Sequence, residues 1–380
     1  MKALILTMTS GQGHNAVAKA TASLLEERGA ETEVLDLYRG RRKFWAWVFN
    51  DAYFLALKLA MPLANFVYHR GQLRRYDRRE KNFLMDLARM DAAFLKEKLE
   101  SSRPDLVVCT HVLPAAILDL LKGSLPERMV TGGIVTDYGV HPYWECAIRN
   151  DFCILPAEEL IPDMEKRGWK REQLFVFPVP VRPAFYEPAD REQLREKLGL
   201  DERPVLLLMG GGEGSCNSKK MIRRLLRTET DFQIVNICGR NRKMKKKIDR
   251  LLARRPLRKK VINLGFTDNV AEWMGAADLY LGKVGMISST EAVCRDLPMV
   301  AVRRLAWQEQ ENAAYLASKG GLCRSEKRGD EIRLTEEILS NPARLRKMRE
   351  CQQKLNRPKL REALGDFLVS RIRGGEHEET

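Results

Sequence analysis

Short apolar runs alternate along the chain with segments of helical periodicity. The first run, residues 3–6, leads into a glycine-rich turn and then into a helix that places Ala16, Ala20 and Leu24 on one face. The next run, Thr32–Leu37, completes a β-α-β unit. Similar apolar runs lie at Asp105–Cys109, Met129–Val135 and Phe152–Leu155. Apolar strands that alternate with helices are typical of a parallel sheet covered on both faces, so the pattern predicts an α/β fold.

A proline-rich segment, Phe177–Pro183, interrupts this pattern, because proline fits neither a helix interior nor a central strand. After it the alternation begins again, with apolar runs at Val205–Met209, Gln233–Cys238, Val261–Leu264, Leu279–Leu281 and Met299–Val302. We therefore expect two Rossmann-like, doubly wound domains, residues 1–178 and residues 179–340. Residues 341–380 are expected to form basic helices that pack back on the first domain and end in a disordered tail.

Composition narrows the class of partner. The 380 residues include 66 Lys and Arg against 51 Asp and Glu, a net charge of +15 that favours an anionic partner: nucleic acid, anionic lipid or a phosphorylated substrate. The 8 cysteines form no C-x-x-C pair and no metal-ligand spacing with histidine, which is typical of reduced thiols in a cytosolic protein. The opening apolar run is too short for a signal peptide. Export, a disulfide scaffold and a zinc protein are therefore not expected.

One segment, Phe44–Tyr68, departs from the α/β pattern because nearly all of it is apolar. Its polar residues fall on one stripe of a helical wheel, and cations flank both ends. A bilayer-spanning helix should not carry such a stripe without partners. Apolar residues that include Trp45, Trp47, Phe49 and Phe54, flanked by cations, suit a helix lying in an anionic membrane surface. The alternative is a helix packed in a domain core or a dimer interface.

The first glycine turn has the spacing Gly11-x-Gly13-x-x-Ala16 and is followed by Asp36 at the end of the next strand. This is the spacing of a dinucleotide-binding fingerprint, so an NAD-dependent enzyme is one interpretation and a tight turn without a ligand is the other. His14 lies at the carboxyl end of the first strand, where open α/β sheets bind ligands. The helix dipole lowers the pKa of this histidine and favours the neutral imidazole that a general base requires. A histidine that only caps the turn is the alternative.

A second glycine turn, Gly210–Gly214, follows the first strand of the second domain. Its backbone N–H groups can bind phosphate oxygens. The turn lacks the G-K-[ST] ending of a P-loop, which disfavours an ATPase. A purely structural turn is again the alternative.

Several motifs follow one another in a fixed order over about residues 1–330. They are Ser10–Asn15 (S-G-Q-G-H-N), Thr136–Trp144 (T-D-Y-G-V-H-P-Y-W), Val179–Val181 (V-P-V), Gly210–Gly214 (G-G-G-E-G), Gly265–Met274, Lys283–Ala292 and Gln308–Asn312. This series resembles the GT-B glycosyltransferases, specifically the family of monogalactosyldiacylglycerol synthases and processive diacylglycerol glucosyltransferases. The family's K-x-G-P-G-T-x-x-E-A element keeps its Lys and Glu here but loses its Pro-Gly.

The resemblance implies a GT-B fold, in which two Rossmann-like domains face each other across a cleft. It also implies an inverting transfer of a hexose from UDP-glucose or UDP-galactose to a hydroxyl of diacylglycerol or glycosyldiacylglycerol. In that reaction His14 takes the acceptor's proton and Asp137 orients an imidazole. The donor residues implied are Gly211, Gly212, Phe266, Lys283, Ser289, Thr290, Glu291, Gln308, Glu309 and Asn312. The acceptor and membrane residues implied are Trp45, Trp47, Phe49, Phe54, His141 and Trp144.

The chain contains no D-x-D pair of carboxylates, so a metal ion is not expected. No other cofactor is expected either. The expected partners are the UDP-sugar, the lipid acceptor and an anionic membrane surface. Nucleic acid is not expected, because the basic stretch Arg240–Lys260 has no interleaved aromatic residues. The expected location is cytoplasmic, peripheral on the inner face of the cell membrane. The alternatives are another GT-B enzyme, such as a soluble UDP-sugar transferase or a UDP-sugar epimerase, and an inactive relative that binds nucleotide sugar or lipid.

Overall fold

The computed structural model describes residues 1–9, 13–37, 83–212, 214, 217–253, 257–302, 306–327 and 329–373. The chain divides into two compact units. The first unit comprises Met1–Arg182 and the chain from Lys359, and the second comprises Pro183–Pro358. The chain therefore leaves the first unit at the end of the proline-rich segment, shortly after the boundary expected at residue 178, and later returns to it.

Within the described residues, the first unit has a parallel sheet of six strands in the order β2-β1-β3-β4-β5-β6. The strands are β1 (Lys2–Thr7), β2 (Glu31–Asp36), β3 (Leu106–Cys109), β4 (Val130–Ile134), β5 (Phe152–Leu155) and β6 (Leu174–Val176). The helices are α1 (Gly13–Glu26), α2 (Phe83–Ser102), α3 (Val112–Leu121) and α4 (Ile161–Lys166), with 3-10 helices at Lys122–Ser124, Pro142–Ala147, Glu158–Leu160 and Arg171–Gln173. Every residue of β3 and β5 is buried, as expected for the middle of a sheet that helices cover on both faces.

The second unit repeats this architecture with a parallel sheet that has, in the described part of the chain, six strands in the order β12-β11-β10-β7-β8-β9. The strands are β7 (Val205–Met209), β8 (Gln233–Ile237), β9 (Val261–Leu264), β10 (Leu279–Gly282), β11 (Met299–Ala301) and β12 (Leu322–Arg324). The helices are α5 (Arg191–Lys197), α6 (Ser218–Leu225), α7 (Arg242–Leu252), α8 (Val270–Ala276), α9 (Met286–Cys294), α10 (Trp307–Ser318), α11 (Asp330–Leu339) and α12 (Pro342–Leu355), and a 3-10 helix at Pro183–Phe185 precedes them.

A buried carboxylate ties the second unit together. Asp278, just before β10, accepts a hydrogen bond from the backbone N–H of Val205 at 2.8 Å. Three guanidinium groups also reach this carboxylate, from Arg191 and Arg195 on α5 and from Arg349 on α12. Helix α12 is therefore anchored in the second unit. The expectation that all of residues 341–380 join the first domain is corrected here, because α12 belongs to the second unit and its Arg349 is paired with Asp278 there.

The last described helix, α13 (Pro358–Arg373), does pack on the first unit. Its Phe367 lies against the rings of Phe152, Phe175 and Phe177, with centroid distances of 4.5–5.5 Å. At the other end of the contact, Arg28 from the turn after α1 forms ion pairs with two carboxylates of α13. The aromatic cluster and the ion pairs therefore hold α13 on the first unit, whereas the preceding helix, α12, belongs to the second.

Two predictions fall outside the described residues. One is the apolar segment Phe44–Tyr68, with Trp45, Trp47, Phe49 and Phe54, and the other is the tail 374–380. Within the residues that the structure does describe, each helix is too short or too polar to cross a lipid bilayer.

Candidate active site

Several predicted residues in each unit lie at the carboxyl ends of strands, beside the point where the sheet changes its direction of winding. In the first sheet this point lies between β1 and β3, and in the second between β7 and β10. His14 lies in the first turn of α1, the helix that comes after β1, and Gly211 and Lys283 follow β7 and β10. Open α/β sheets bind their ligands in the crevice that forms at such a switch point. The topology of each unit therefore supports a ligand site at the predicted residues.

His14 is held in place by the chain that follows β3. The carbonyl oxygen of Thr110 lies 2.6 Å from Nδ1 of His14, and the Thr110 hydroxyl donates to the His14 carbonyl at 3.1 Å. The hydroxyl of Thr136, which follows β4, lies 3.2 Å from the same Nδ1. The segments that follow β1, β3 and β4 therefore meet at this imidazole.

These contacts determine which nitrogen of His14 is able to take a proton. A carbonyl oxygen only accepts hydrogen bonds, so Nδ1 must carry the hydrogen that points at Thr110. The lone pair of the neutral ring is then on Nε2. A hydrogen bond that fixes the tautomer in this way is the usual support of a histidine that works through its other nitrogen.

Two more histidines surround the first one. The rings of His14 and His111 meet edge to face with centroids 4.8 Å apart, and His141 starts the 3-10 helix that follows β4. Burial lowers the pKa of His14, partly offset by its bond to Thr110. Burial is the main reason why the pKa of His111 lies well below its usual value, and the positive charge that His14 and His141 can carry lowers it further. Burial and the nearby charge of Arg167 lower the pKa of His141 to about 3. All three rings are therefore neutral at pH 7, as a general base requires.

Asp137 was predicted to orient an imidazole. Asp137 directly follows Thr136 at the end of β4, yet the groups seen on Nδ1 of His14 are Thr110 and Thr136, so an orienting role for Asp137 stays a prediction.

Trp144 is 4% exposed and lies against Gly133, where an added Cβ would come within 2.7 Å of its ring. The missing side chain of Gly133 makes room for Trp144 in the core. Trp144 is therefore a core residue, which corrects its predicted contact with acceptor or membrane.

The acidic residue of the dinucleotide fingerprint is engaged locally. Both carboxylate oxygens of Asp36 accept hydrogen bonds from Thr9, one from its backbone N–H at 3.4 Å and one from its hydroxyl. Asn15 of α1 joins the same group by donating to the Thr9 hydroxyl at 2.8 Å. Asp36 thus fastens the end of β1 to the end of β2, which supports the structural interpretation of this turn rather than a ribose contact.

In the second unit, close backbone approach fixes the glycine turn. Gly211, Gly214 and Gly239 all have positive φ, between 54° and 73°, a conformation that side chains disfavour. A Cβ on Gly214 would lie 2.0 Å from the carbonyl of Cys238, and one on Gly239 would lie 2.3 Å from the carbonyl of Gly212. The turn after β7 and the turn after β8 therefore interlock, while a Cβ on Gly211 would meet nothing within 4 Å. Gly211 borders open space, as a phosphate-binding turn requires.

Helix α9 carries the predicted hydroxyl residues Ser289 and Thr290 at its fourth and fifth positions, and one of the two hydroxyls is buried without a partner among the described residues. The Ser289 hydroxyl donates to the carbonyl of Gly285 at 2.9 Å. The hydroxyl of Thr290 is buried and bonds to none of the described residues. A buried polar group without a partner costs stability, so its presence beside Glu291, itself 8% exposed, favours a ligand that supplies the missing bond.

Two of the three predicted donor residues on α10, Glu309 and Asn312, are already bonded to other residues. Glu309 places Oε1 3.2 Å from Nζ of Lys283 and accepts a hydrogen bond from Ala306 N–H at 2.9 Å through Oε2. Asn312 is fully buried, and its amide donates to the carbonyl of Val284 at 3.1 Å. Asn312 therefore supports the turn after β10. Gln308 is half-buried at the start of α10.

Phe266 is the most exposed large apolar side chain of the described residues, at 59%. It follows β9, and the guanidinium of Arg240 lies 5.6 Å from its ring centroid. The backbone N–H of Arg240 also donates to the Gly212 carbonyl at 2.9 Å.

Sequence reasoning missed Arg240, as it missed Thr110 and Thr136. The available signal was position, because each residue directly follows, or lies within three residues of, the end of a buried strand.

No group of three or more His, Cys, Asp or Glu side chains is arranged to hold a metal ion in the part of the chain that the structure describes. Independence from a metal stays a prediction, since the chemistry of the reaction has to test it.

Two tandem doubly wound units, each with polar residues at its switch point, define the GT-B class of fold. The structure of MurG from Acinetobacter baumannii is similar, with a TM-score of 0.66 and 15% identity, over 97% of this chain and 100% of that one. At this identity the likeness concerns the fold alone.

The family follows from the sequence comparisons. Residues 14–181 match the family model "Monogalactosyldiacylglycerol (MGDG) synthase", and residues 205–364 match "Glycosyltransferase family 28 C-terminal domain". The chain therefore belongs to this family of glycosyltransferases. Monogalactosyldiacylglycerol synthase 1 of Arabidopsis thaliana is 30% identical over 84% of this chain, which spans 61% of that protein's length. Processive diacylglycerol beta-glucosyltransferase of Bacillus cereus is 24% identical over 97% of this chain and 93% of that protein.

Proposed function

We propose that this protein is an inverting glycosyltransferase that moves a hexose from a UDP-sugar to the hydroxyl of a membrane lipid, diacylglycerol or glycosyldiacylglycerol. The observation that carries the proposal is His14. Its Nδ1 is bonded to the carbonyl of Thr110, which leaves Nε2 of a neutral ring as the proton acceptor at the switch point of the first sheet. The names of the relatives, a monogalactosyldiacylglycerol synthase and a processive diacylglycerol beta-glucosyltransferase, supply the substrate class.

In the proposed reaction, Nε2 of His14 takes the proton of the lipid hydroxyl while that oxygen attacks the anomeric carbon. The bond between this carbon and the diphosphate oxygen breaks, and UDP leaves with the bonding electrons. A well-placed general base contributes about 10²- to 10⁴-fold in rate.

The second unit binds the donor in this proposal. Negative charge grows on the diphosphate as its bond to the sugar breaks, and backbone N–H groups of Gly211 and Gly212 and the start of α9 stabilise it. The buried hydroxyl of Thr290 and the carboxylate of Glu291 bond the nucleotide, and exposed Phe266 offers a face on which a base can stack. Gln308 and the paired Lys283 and Glu309 contact the sugar. We further propose that no metal is needed and that the enzyme works at the inner face of the cell membrane.

The test is transfer itself. The protein is incubated with UDP-glucose and, separately, with UDP-galactose, together with diacylglycerol vesicles and a metal chelator, and glycolipid is detected by mass. The matched variants are His14→Ala and His14→Asn, since the amide of Asn can still donate to the Thr110 carbonyl but cannot act as a base.

Both variants should lose at least about 100-fold in kcat while their affinity for UDP, measured by calorimetry, stays unchanged. Native rates with either variant would reject His14 as the base. Epimerised UDP-sugar without glycolipid would favour a UDP-sugar epimerase, and UDP binding without turnover would favour an inactive relative.

A further inference from the structure

Helix α7 is attached to the second unit along only one side. Ile248 is its one fully buried residue, and Met244, Leu251 and Leu252 are partly buried around it. The helix lies between β8 and β9 in the chain, and β9 is the edge strand of its sheet. The opposite side of α7 therefore points away from the core.

That outer side is cationic. Lys243, Lys246, Lys247 and Arg250 follow the spacing i, i+3, i+4 and i+7, which places them on one side of a helix over about 10 Å of its length. All four are exposed. We call these four residues the α7 cationic face. The neighbouring helix α6 extends the positive charge with exposed Lys220 and Arg223.

The charge of this face is not neutralised within the described part of the chain. Asp249 is the one acidic residue of α7, and its carboxylate is bonded to Lys245 at 3.0 Å and to the side chain of Asn263 at 2.6 Å. The described ion pairs include none with the four lysine and arginine side chains of the α7 cationic face. A row of unpaired cations on an exposed helix raises the free energy of the isolated protein and lowers it beside a surface of opposite charge.

We propose that the α7 cationic face docks the second unit on an anionic lipid surface. The face contains no aromatic or amide side chain between its cations, so it has the charge that phospholipid headgroups attract but not the groups that read or stack nucleic-acid bases. The choice of lipid as partner rests on the proposed function, since an enzyme with a lipid acceptor works at a membrane. The inference is independent of the apolar segment at residues 44–68.

The experiment compares two variants of equal charge change. In one, Lys243, Lys246, Lys247 and Arg250 are all replaced by Glu. In the matched control, four exposed cations on or just after α12 are replaced by Glu: Arg346, Lys347, Lys354 and Arg357. Co-sedimentation is measured with vesicles of phosphatidylglycerol and phosphatidylcholine in equal parts and with vesicles of phosphatidylcholine alone, at low and high salt. Thermal melting and UDP binding check that both variants fold.

The native protein should bind the mixed vesicles, release them at high salt and ignore phosphatidylcholine. The α7 variant should lose more than about 100-fold in partition, because each basic residue near an anionic surface contributes about 5-fold. The α12 variant should lose less than about 10-fold. Equal losses in the two variants would show that net charge alone matters and would overturn the proposal. So would native vesicle binding by the α7 variant, or salt-sensitive binding of duplex DNA in place of vesicles.

Transfer to diacylglycerol in neutral detergent micelles separates this inference from the proposed function. Both charge variants should keep native transfer there, since no anionic surface is involved. A protein that makes no glycolipid in micelles but binds vesicles through α7 would keep the docking surface and reject the transferase.

Discussion

The imidazole rings of His14 and His111 meet edge to face, with centroids 4.8 Å apart and planes at 81°. His111 accepts a hydrogen bond from the backbone N–H of Leu113 through its Nδ1, at 3.1 Å. This bond starts helix α3 and leaves the hydrogen of the neutral ring on Nε2. A charge on His14 would disfavour a charge on His111, whose pKa burial already lowers. The contact therefore favours the uncharged form of His111.

The first prediction concerns stability against pH. The folded pKa of His14, His111 and His141 lies below the ordinary value of 6.5, so the unfolded chain binds protons that the folded one does not. Stability from these groups is fully present above pH 6.5 and is lost as pH falls towards the folded pKa, about 3 for His141. Each histidine adds up to about 1.4 kcal/mol per pH unit to the slope.

The variants His111→Asn and His141→Asn test this slope, because Asn caps a helix as His does here but does not titrate. Urea unfolding from neutral to acid pH should show a shallower loss of stability in each variant. Taking the difference from the native protein cancels the carboxylates that titrate in both. A slope identical to the native one would mean that these rings are not buried as described.

The second prediction concerns the anchoring of His14. Thr136→Val removes the hydroxyl that lies 3.2 Å from Nδ1 and keeps the shape of the side chain. A hydrogen bond of this kind contributes about 1 kcal/mol, so kcat should fall about 5-fold while KM for the UDP-sugar stays the same. Thr136→Ser should restore most of the rate. The measurement is the pH profile of kcat, and an increase in KM with native kcat would argue for substrate binding instead of positioning.

The third prediction compares two glycines of similar φ. Gly239→Ala places a Cβ 2.3 Å from the Gly212 carbonyl, whereas Gly211→Ala meets nothing within 4 Å. Both substitutions carry the conformational cost of positive φ, about 1–2 kcal/mol, but only Gly239→Ala must also force two backbone turns apart. Urea unfolding should therefore show a loss for Gly239→Ala that exceeds the loss for Gly211→Ala by at least about 1 kcal/mol. Equal losses would show that the turns do not interlock.

The fourth prediction sets stability against affinity. Thr290→Val replaces a buried hydroxyl that has no described partner, so the free protein should gain up to about 1 kcal/mol of stability. If the UDP-sugar supplies the missing bond, its affinity should fall about 5- to 10-fold in the same variant. Ser289→Ala is the control, because that hydroxyl is already bonded to Gly285 and its loss should destabilise the free protein. A variant that is less stable and binds UDP natively would contradict the prediction.

Much of the fold could be predicted because many of its strands are short apolar runs between turns. The inner strands Phe152–Leu155 and Val205–Met209 have the predicted bounds, and so does the edge strand Val261–Leu264. Strands β6 and β12 have three residues each and lie at sheet edges. The apolar residues of β6 continue into the proline-rich segment, and β12 is too short to show a period. Their pairing is decided by the neighbouring strand and not by their own composition.

The candidate site could be predicted less completely, for a related reason. His14 has a side chain that signals chemistry, but its nearest partner is the backbone carbonyl of Thr110, and every residue has such a group. Trp144 suggests a binding surface until the space left by Gly133 shows that it belongs to the core. Partners brought together from strands far apart in the chain leave no local pattern to read.

The division of the chain has a consequence for its synthesis. The second unit is one uninterrupted stretch, whereas the aromatic surface of the first unit at Phe152 and Phe175 is covered by Phe367, which follows that entire stretch. On the ribosome the second unit is therefore able to fold while the first still exposes the rings of Phe152, Phe175 and Phe177. The first unit is synthesised first but completes its folding last, because it needs α13. It is therefore the unit that a chaperone would have to shield.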